Sequence, residues 1–125
     1  MFIQVNTTID VAAVEKEIVK EIIYKERPSL MKVDPKEIAK ELFDQKQYDC
    51  LVKLLTRESN WRPKAKNPKS TASGIGQLLD GTYKNLGMKK SDAGVAQLVA
   101  TLSYIHRRHV TPCNAWKHFQ KENWY

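Results

Sequence analysis

Residues 51–78 read LVKLLTRESNWRPKAKNPKSTASGIGQL, which is a helical pattern followed by a polar stretch and a glycine-containing segment. Three leucines recur at helical spacing: Leu51, Leu54 and Leu55. Glu58 continues that spacing, so its carboxyl group falls on the face that the leucines are expected to bury. Removal from water raises the pKa of a carboxyl group and keeps it protonated nearer neutral pH. Glu58 is therefore a candidate general acid, and the alternative is an exposed helix end that pairs with Arg57 or Arg62.

The rest of the sequence predicts further helices that are separated by turn signals. Helical patterns occupy residues 10–27, 34–43, 46–58, 78–86 and 92–109, and an aromatic-rich segment covers residues 115–125. Asp34 and Pro35 supply the N-cap and first-turn proline of the second helix, and Ser91 or Asp92 is expected to cap the long one. The predicted fold class is mainly α, with little or no β-structure apart from a possible short hairpin around residues 59–75.

Chain length and charge limit the classes of protein to consider. The 125 residues fit one domain, and no linker-like segment divides them. The chain has 21 basic and 14 acidic residues, which gives a net charge of +7 at pH 7 with neutral histidines. This charge predicts attraction to a polyanion such as nucleic acid, teichoic acid, anionic lipid or the peptide carboxylates of a cell wall.

The cysteines and the amino terminus indicate where the protein acts. Cys50 and Cys113 are far apart and outside any CxxC pattern, so we expect two free, partly buried thiols and no disulfide framework. The segment from Met1 to Val14 lacks the basic and apolar regions of a signal peptide. No stretch approaches the ~20 apolar residues of a membrane span. A target outside the cytoplasm would therefore require delivery by another agent.

Three motifs carry a family resemblance: Glu58-Ser59-Asn60-Trp61, Ala65-Lys66-Asn67-Pro68 and Ala72-Ser73-Gly74-Ile75-Gly76-Gln77-Leu78. In this order and spacing they resemble the goose-type lysozyme and soluble lytic transglycosylase superfamily, and the resemblance extends from about Tyr48 to Tyr125. It implies a single lysozyme-like helical domain over residues 1–125. Added helices would occupy residues 1–45 and the catalytic core residues 46–125.

The resemblance also implies an activity. The enzyme would cleave the β-1,4 bond between N-acetylmuramic acid and N-acetylglucosamine in the glycan strands of peptidoglycan. Glu58 would act as acid and then as base, with the substrate's own 2-acetamido group in place of a second carboxylate. Attack by the sugar's C6 hydroxyl gives the 1,6-anhydro product that we favour, and attack by water gives lysozyme-type hydrolysis. The implied substrate-binding residues are Ser59, Trp61, Gln77 and Tyr104.

The sequence departs from the family at one element. Many members carry Ala-Tyr-Asn-Ala-Gly after the long helix, whereas the corresponding region here reads Asn114-Ala115-Trp116-Lys117-His118. Tyr104 and Trp116 are both candidates to replace the missing tyrosine. We expect a monomer that uses no metal or cofactor and binds no nucleic acid. It would reach the cell wall through a bacteriophage holin or in a virion, as an endolysin or virion lysin, or within a larger secreted protein.

Three other interpretations compete with this one. Zinc could bind the nitrogen and sulfur ligands of four residues: His106, His109, Cys113 and His118. A basic helical module that binds nucleic acid is suggested by the charge of +7 and the Arg107-Arg108 pair, although no nucleic-acid motif is present. A lysozyme-fold relic could bind glycan without cutting it, but the presence of Glu58 opposes that view.

Overall fold

Five α-helices form the secondary structure of residues 32–125, the part of the chain that the computed structural model describes. We label them α1 (Pro35–Leu42), α2 (Gln45–Ser59), α3 (Asp80–Leu86), α4 (Gly94–His109) and α5 (Pro112–Glu122). The predicted mainly α fold is therefore confirmed. The helix predicted over residues 10–27 lies outside the described residues. Within residues 32–125, no helix is both long and apolar enough to cross a membrane.

Polar side chains cap the N-termini of three of these helices. Asp34 accepts a hydrogen bond from the backbone N–H of Lys36 at the start of α1 (3.0 Å), and Pro35 occupies the first turn. This N-cap agrees with the prediction from sequence. Asp44 and Thr111 cap α2 and α5 in the same way. Each cap satisfies a backbone donor that the helix itself leaves without a partner.

The start of α4 differs from the prediction. The N-cap is Ala93, not Ser91 or Asp92, and no side chain caps this helix. Gln97 supplies the reason, because its Nε2 reaches out of the helix and donates to the Ser91 carbonyl oxygen (2.8 Å). Ser91 Oγ in turn accepts from the backbone N–H of Ala93 (3.0 Å). These side-chain bonds hold the segment before α4 in a turn.

The connection between α2 and α3, residues 60–79, contains no β-strand. Two isolated antiparallel bridges pair Ser73 with Lys66 and with Leu78. The hairpin that the sequence allowed around residues 59–75 is therefore limited to single bridged pairs. Turns occupy the backbone between Ser73 and Leu78, so the second pair cannot extend into a ladder.

Helix α4 lies at the centre of the core. Every residue from Gly94 to Ser103 is buried, on all faces of the helix. Helices α1, α3 and α5 pack against α4, while α2 packs against α1 and α5. A helix buried on all sides must be surrounded by other elements, as α4 is. The largest fully buried apolar side chains are Leu51, Leu54, Leu55, Ile75, Leu98, Leu102 and Ile105.

A disulfide bond joins Cys50 in α2 to Cys113 in α5, so the expectation of two free thiols is wrong. The two residues are 63 positions apart in sequence, but their Cα atoms lie 4.9 Å apart. Packing of α2 against α5 creates this proximity, which no local cysteine pattern reveals. Beside the bond, Gln47 Oε1 accepts a hydrogen bond from the backbone N–H of Cys113 (2.9 Å).

Loss of the Cys50–Cys113 bond should destabilise the protein. The bond closes a long loop and so restricts the unfolded chain, which corresponds to about 4 kcal/mol in the chain-entropy description. We expect Cys50→Ser/Cys113→Ser to unfold at a lower urea concentration than wild type. A reducing agent should lower the wild-type midpoint and leave that of the double variant unchanged. Equal midpoints for wild type with and without reductant would contradict the bond.

Candidate active site

A cavity of about 450 Å³ opens beside the last turn of α2, and the Glu58 side chain lines it. The α2–α3 connection contributes Asn67, Ala72, Gln77, Leu78 and Leu79. Tyr104 of α4 and the C-terminal residues Asn123, Trp124 and Tyr125 form the rest of the lining. Among the described residues that line this cavity, Glu58 is the sole one with a carboxylic acid side chain.

The environment of Glu58 favours its protonated form. Burial raises the pKa of this carboxyl group from its usual 4.5 to about 7, and the neighbouring Arg57 guanidinium opposes the rise only in part. The structure does not contain the alternative arrangement, in which Glu58 pairs with Arg57 or Arg62 at an exposed helix end. Arg62 donates its Nε–H to the Ser59 carbonyl oxygen (3.0 Å), and within residues 32–125 Glu58 forms no salt bridge. The group can therefore exchange a proton near neutral pH.

Ser59 fastens the α2–α3 connection to the end of α2, and Gln77 fastens two parts of the connection to each other. Ser59 is buried, with 4% of its surface exposed, and its Oγ donates to the Ile75 carbonyl oxygen (2.6 Å). Gln77 Nε2 donates to the carbonyl oxygens of Ala65 (3.1 Å) and Gly74 (2.9 Å). Gln77 also lines the cavity, whereas Ser59 lies behind it.

Two glycines allow the connection to lie directly on α4. A Cβ atom built on Gly74 would lie 2.5 Å from Gln97 Oε1, and one on Gly76 would lie 2.1 Å from Thr101 Oγ1. Both separations are shorter than any side chain tolerates, so the backbone can approach α4 this closely only with glycine. Gln97 Oε1 then accepts the backbone N–H of Ile75 (2.9 Å). The Gly-x-Gly spacing in the sequence thus has a packing cause.

Two tyrosines close the opposite wall. Tyr104 OH donates to the main-chain oxygen of Tyr125 (2.6 Å), and Tyr125 OH donates to the Gly76 carbonyl oxygen (2.6 Å). Their rings meet edge to face at 5.4 Å between centroids. Burial is the main cause that raises the pKa of Tyr125 well above its usual value, and the nearby Glu58 carboxyl group adds to the rise. The Tyr125 phenol therefore stays neutral. The C-terminal segment is thereby bound to both α4 and the connection.

An exposed indole stands at the cavity edge. Trp124 is 46% exposed and lines the cavity. The Arg108 guanidinium carbon lies 4.9 Å from its ring centroid, and the His118 ring contacts it edge-on at 4.4 Å. His118 Nδ1 also lies 2.8 Å from the Trp124 carbonyl oxygen. The indole is therefore fixed in place while part of its surface faces solvent.

The two other tryptophans lie elsewhere. Trp61 follows α2 with a positive φ of 59° and packs partly buried on the core, with Lys36 Nζ 5.5 Å from its ring. Trp116 is also partly buried against the core and stacks on Phe119 at 5.8 Å. Neither belongs to the cavity lining. Of the two candidates to replace the family tyrosine, only Tyr104 lies beside Glu58.

The structure thus brings together Glu58, Gln77 and Tyr104 from the sequence-predicted set and leaves Ser59 and Trp61 out of the lining. The substrate-binding roles of all these residues stay predictions. Seven lining residues had no site role predicted from the sequence: Asn67, Ala72, Leu78, Leu79, Asn123, Trp124 and Tyr125. An aromatic-rich end to the chain was the one available signal, and periodicity alone could not connect it to Glu58.

The residues of the zinc interpretation do not form a ligand set in this structure. Cys113 is in a disulfide, and within residues 32–125 no group of three or more potential ligands is close enough to hold a metal ion. His109 and His118 are close, with ring centroids 5.0 Å apart. Burial and then the charge of His118 lower the pKa of His109.

Comparison with protein families identifies the enzyme class. A family model described as Transglycosylase SLT domain matches residues 37–103, slightly more than half of the chain. The chain belongs to the transglycosylase SLT family. Membership confirms the resemblance seen in the sequence and makes the protein a lytic transglycosylase-type enzyme that acts on peptidoglycan. Searches of curated proteins and of solved structures each found no significant match.

Gly76→Ala should destabilise this transglycosylase SLT domain and lower its activity. The new methyl group would collide with Thr101 and push the connection, with Gln77, away from α4. We expect a loss of roughly 2 kcal/mol in the free energy of unfolding, measured by urea titration. Gly81→Ala is the matched control, because a Cβ atom there has no neighbour within 4 Å. Equal stability of the two variants would contradict the close approach.

Glu58→Gln should make the protein more stable at alkaline pH. The carboxyl pKa of about 7 in the folded state exceeds the usual 4.5, so this group's contribution to stability falls as pH rises through that interval. Glutamine cannot lose a proton. We therefore expect the thermal midpoint of the variant to exceed that of wild type at about pH 8 and to match it at about pH 4.

Glu41→Gln is the control for this pH dependence, because Glu41 is exposed on α1. Its thermal midpoint should follow that of wild type across the same pH range. A Glu58→Gln variant that is less stable than wild type at about pH 8 would show that the carboxylate is not desolvated as described.

Proposed function

We propose that this enzyme cleaves the bond between N-acetylmuramic acid and N-acetylglucosamine with Glu58 as acid and then base, releasing 1,6-anhydro-muropeptides. The observation that carries the proposal is the half-buried Glu58 carboxyl group with a pKa of about 7, which faces the cavity. No other side-chain carboxylic acid lines this cavity within the described residues. A group with this pKa can donate a proton and then accept one at neutral pH. Both steps of the reaction require such a group.

The absence of a second carboxylate from this lining supports a one-carboxylate mechanism. Ordinary glycosidases place two carboxyl groups around the scissile bond. The nearest downstream acids are Asp80 and Asp92, and neither lines the Glu58 cavity. Asp80 is paired with Lys90 instead. In our proposal the substrate's 2-acetamido carbonyl shields the positive charge that develops at C1, as the second carboxylate does in other enzymes.

Glu58 has two successive tasks in this mechanism. Its carboxyl group first protonates the oxygen that links the two sugars, which turns a poor alkoxide leaving group into an alcohol. The resulting carboxylate then takes the proton of the C6 hydroxyl on the muramic acid residue, and that oxygen attacks C1. The C1 bond to the leaving sugar breaks, the 1,6-anhydro ring closes, and Glu58 is again protonated. Water in place of the C6 hydroxyl would give hydrolysis.

The other side chains of the cavity suit a sugar chain. Trp124 and Leu79 are 46% and 47% exposed, and they offer apolar surface to the C–H faces of sugars. Gln77, Asn67 and Asn123 offer amide groups that can both donate to and accept from acetamido substituents. We propose that these five residues, with Tyr104, bind the glycan strand.

The disulfide supports action outside the cytoplasm, in keeping with a cell-wall substrate. Disulfide bonds persist in oxidising compartments and are rare where thiol reductants are abundant. The Cys50–Cys113 bond is therefore consistent with a folded enzyme on the wall side of the membrane. Its delivery by a holin or virion, as an endolysin or virion lysin, stays a prediction.

Mass spectrometry of digested sacculi tests the proposal. Wild type should release 1,6-anhydro-muropeptides, and Glu58→Gln should lower their release by about a thousandfold, because a general acid contributes on that order. Glu41→Gln, an exposed carboxyl on α1, should digest sacculi like wild type. Products with reducing ends would indicate a lysozyme-type hydrolase instead. Equal digestion by wild type and Glu58→Gln would refute the catalytic role of Glu58.

A further inference from the structure

A second cavity, of about 640 Å³, lies beside the α2–α3 connection and is lined by basic side chains. Lys64, Lys66 and Lys90 all contribute to its lining, together with one acid, Asp92. Within residues 32–125, Lys64 and Lys66 form no salt bridge, while Lys90 forms one with Asp80. The cavity therefore presents an excess of positive charge to any ligand that enters it.

Two paired segments of the connection separate this basic cavity from the Glu58 cavity. Lys66 and Ser73 form a bridge and line the basic cavity, while their neighbours Asn67 and Ala72 line the Glu58 cavity. The backbone N–H of Asn67 donates to the Ala72 carbonyl oxygen (3.0 Å). Successive residues of paired extended segments face opposite sides. The cavities thus lie on either side of a single layer of chain.

Gln97 forms a fixed back wall to the basic cavity. This side chain is buried, with 5% of its surface exposed, and lines the cavity. Its Nε2 donates to the carbonyl oxygens of Pro63 (3.0 Å) and Ser91 (2.8 Å), and its Oε1 accepts from Ile75. The segments that carry Lys64 and Asp92 are therefore tied to α4. A wall held in this way keeps the charged groups around a preformed space.

We propose that the basic cavity binds the anionic stem peptide of the same peptidoglycan strand whose glycan occupies the Glu58 cavity. The stem is attached to N-acetylmuramic acid, and only one layer of chain separates the basic cavity from the Glu58 cavity, so both parts of one strand would lie close to this layer. Its carboxylates would contact Lys64 and Lys66, which lie in the lining without a carboxylate partner among the described residues. The inference rests on the proposed use of the Glu58 cavity for glycan.

Asp92 favours a peptide over a phosphate polymer as the occupant. A carboxylate within the lining would repel successive phosphates of a teichoic acid, because like charges at close range disfavour binding. A stem peptide carries several carboxylates and the free amine of its diamino acid. The Asp92 carboxylate can accept hydrogen bonds from that ammonium group, while the lysines donate to the carboxylates of the peptide. The mixed charge of the cavity thus matches a zwitterionic chain.

Calorimetric titration of the Glu58→Gln protein with a synthetic stem tetrapeptide tests the site without turnover. Replacing two lysines, Lys64→Gln/Lys66→Gln, should weaken binding by about tenfold. Lys53→Gln/Lys84→Gln removes the same charge from exposed positions outside both cavities and should bind like the parent. Equal weakening in the two double variants, or no binding by the parent, would overturn the proposal. Thermal midpoints verify that all variants are folded.

A third substitution separates the peptide from the phosphate polymer. Asp92→Asn should weaken binding of the tetrapeptide, because the ammonium loses its partner. The same substitution should strengthen binding of poly(glycerol phosphate), because a repulsive charge is removed. A parent protein that binds poly(glycerol phosphate) and not the tetrapeptide would assign the cavity to the polymer and defeat our choice.

Cleavage assays link the site to the reaction. On intact sacculi, Lys64→Gln/Lys66→Gln should lower kcat/KM by about tenfold, mostly through KM. On glycan strands stripped of peptide by an amidase, it should equal wild type. Equal losses on both substrates would overturn the proposal. If wild type cleaves neither substrate, the proposed mechanism at Glu58 fails, while the tetrapeptide titration still decides the stem-peptide site.

Discussion

Glu58 lies where three distant parts of the chain meet, and its removal from water is the constraint on which the rest of the site depends. The carboxyl group extends from the last turn of α2, so α2 alone would leave it in solvent. The α2–α3 connection, Tyr104 of α4 and the C-terminal segment supply the remaining surroundings. Burial raises its pKa to about 7 because these segments exclude water from one side. Any change that loosens them moves the proton equilibrium.

Most buried polar side chains near the site serve this positioning. Ser59 bonds to the connection from α2, Gln97 bonds to it from α4, and Tyr125 bonds to it from the end of the chain. Each of these three side chains donates to or accepts from the backbone of residues 75 and 76. A backbone segment without helix or strand partners needs such bonds when it is buried. The connection is therefore rigid enough to shape both cavities that it separates.

The family match and the cavity cover different parts of the chain. Residues 37–103 match the transglycosylase SLT domain and include Glu58 and the glycine segment. Tyr104, Trp124 and Tyr125 lie beyond the match, yet they form one wall of the cavity. The Cys50–Cys113 bond anchors α5, which leads to this wall, to the helix that carries Glu58. The matched segment thus contains the acid, and the following residues complete its surroundings.

The sequence by itself determined the features that depend on residues close together in the chain. Helical spacing revealed most helices, Asp34 marked the start of α1, and the leucine stripe identified Glu58, because these features repeat within a few residues. Only the tertiary structure determined the disulfide, the uncapped start of α4 and the aromatic wall around Trp124. These features join residues far apart in the chain. Their contacts depend on how helices pack, and hydrophobic periodicity contains no information about which helix a given face will meet.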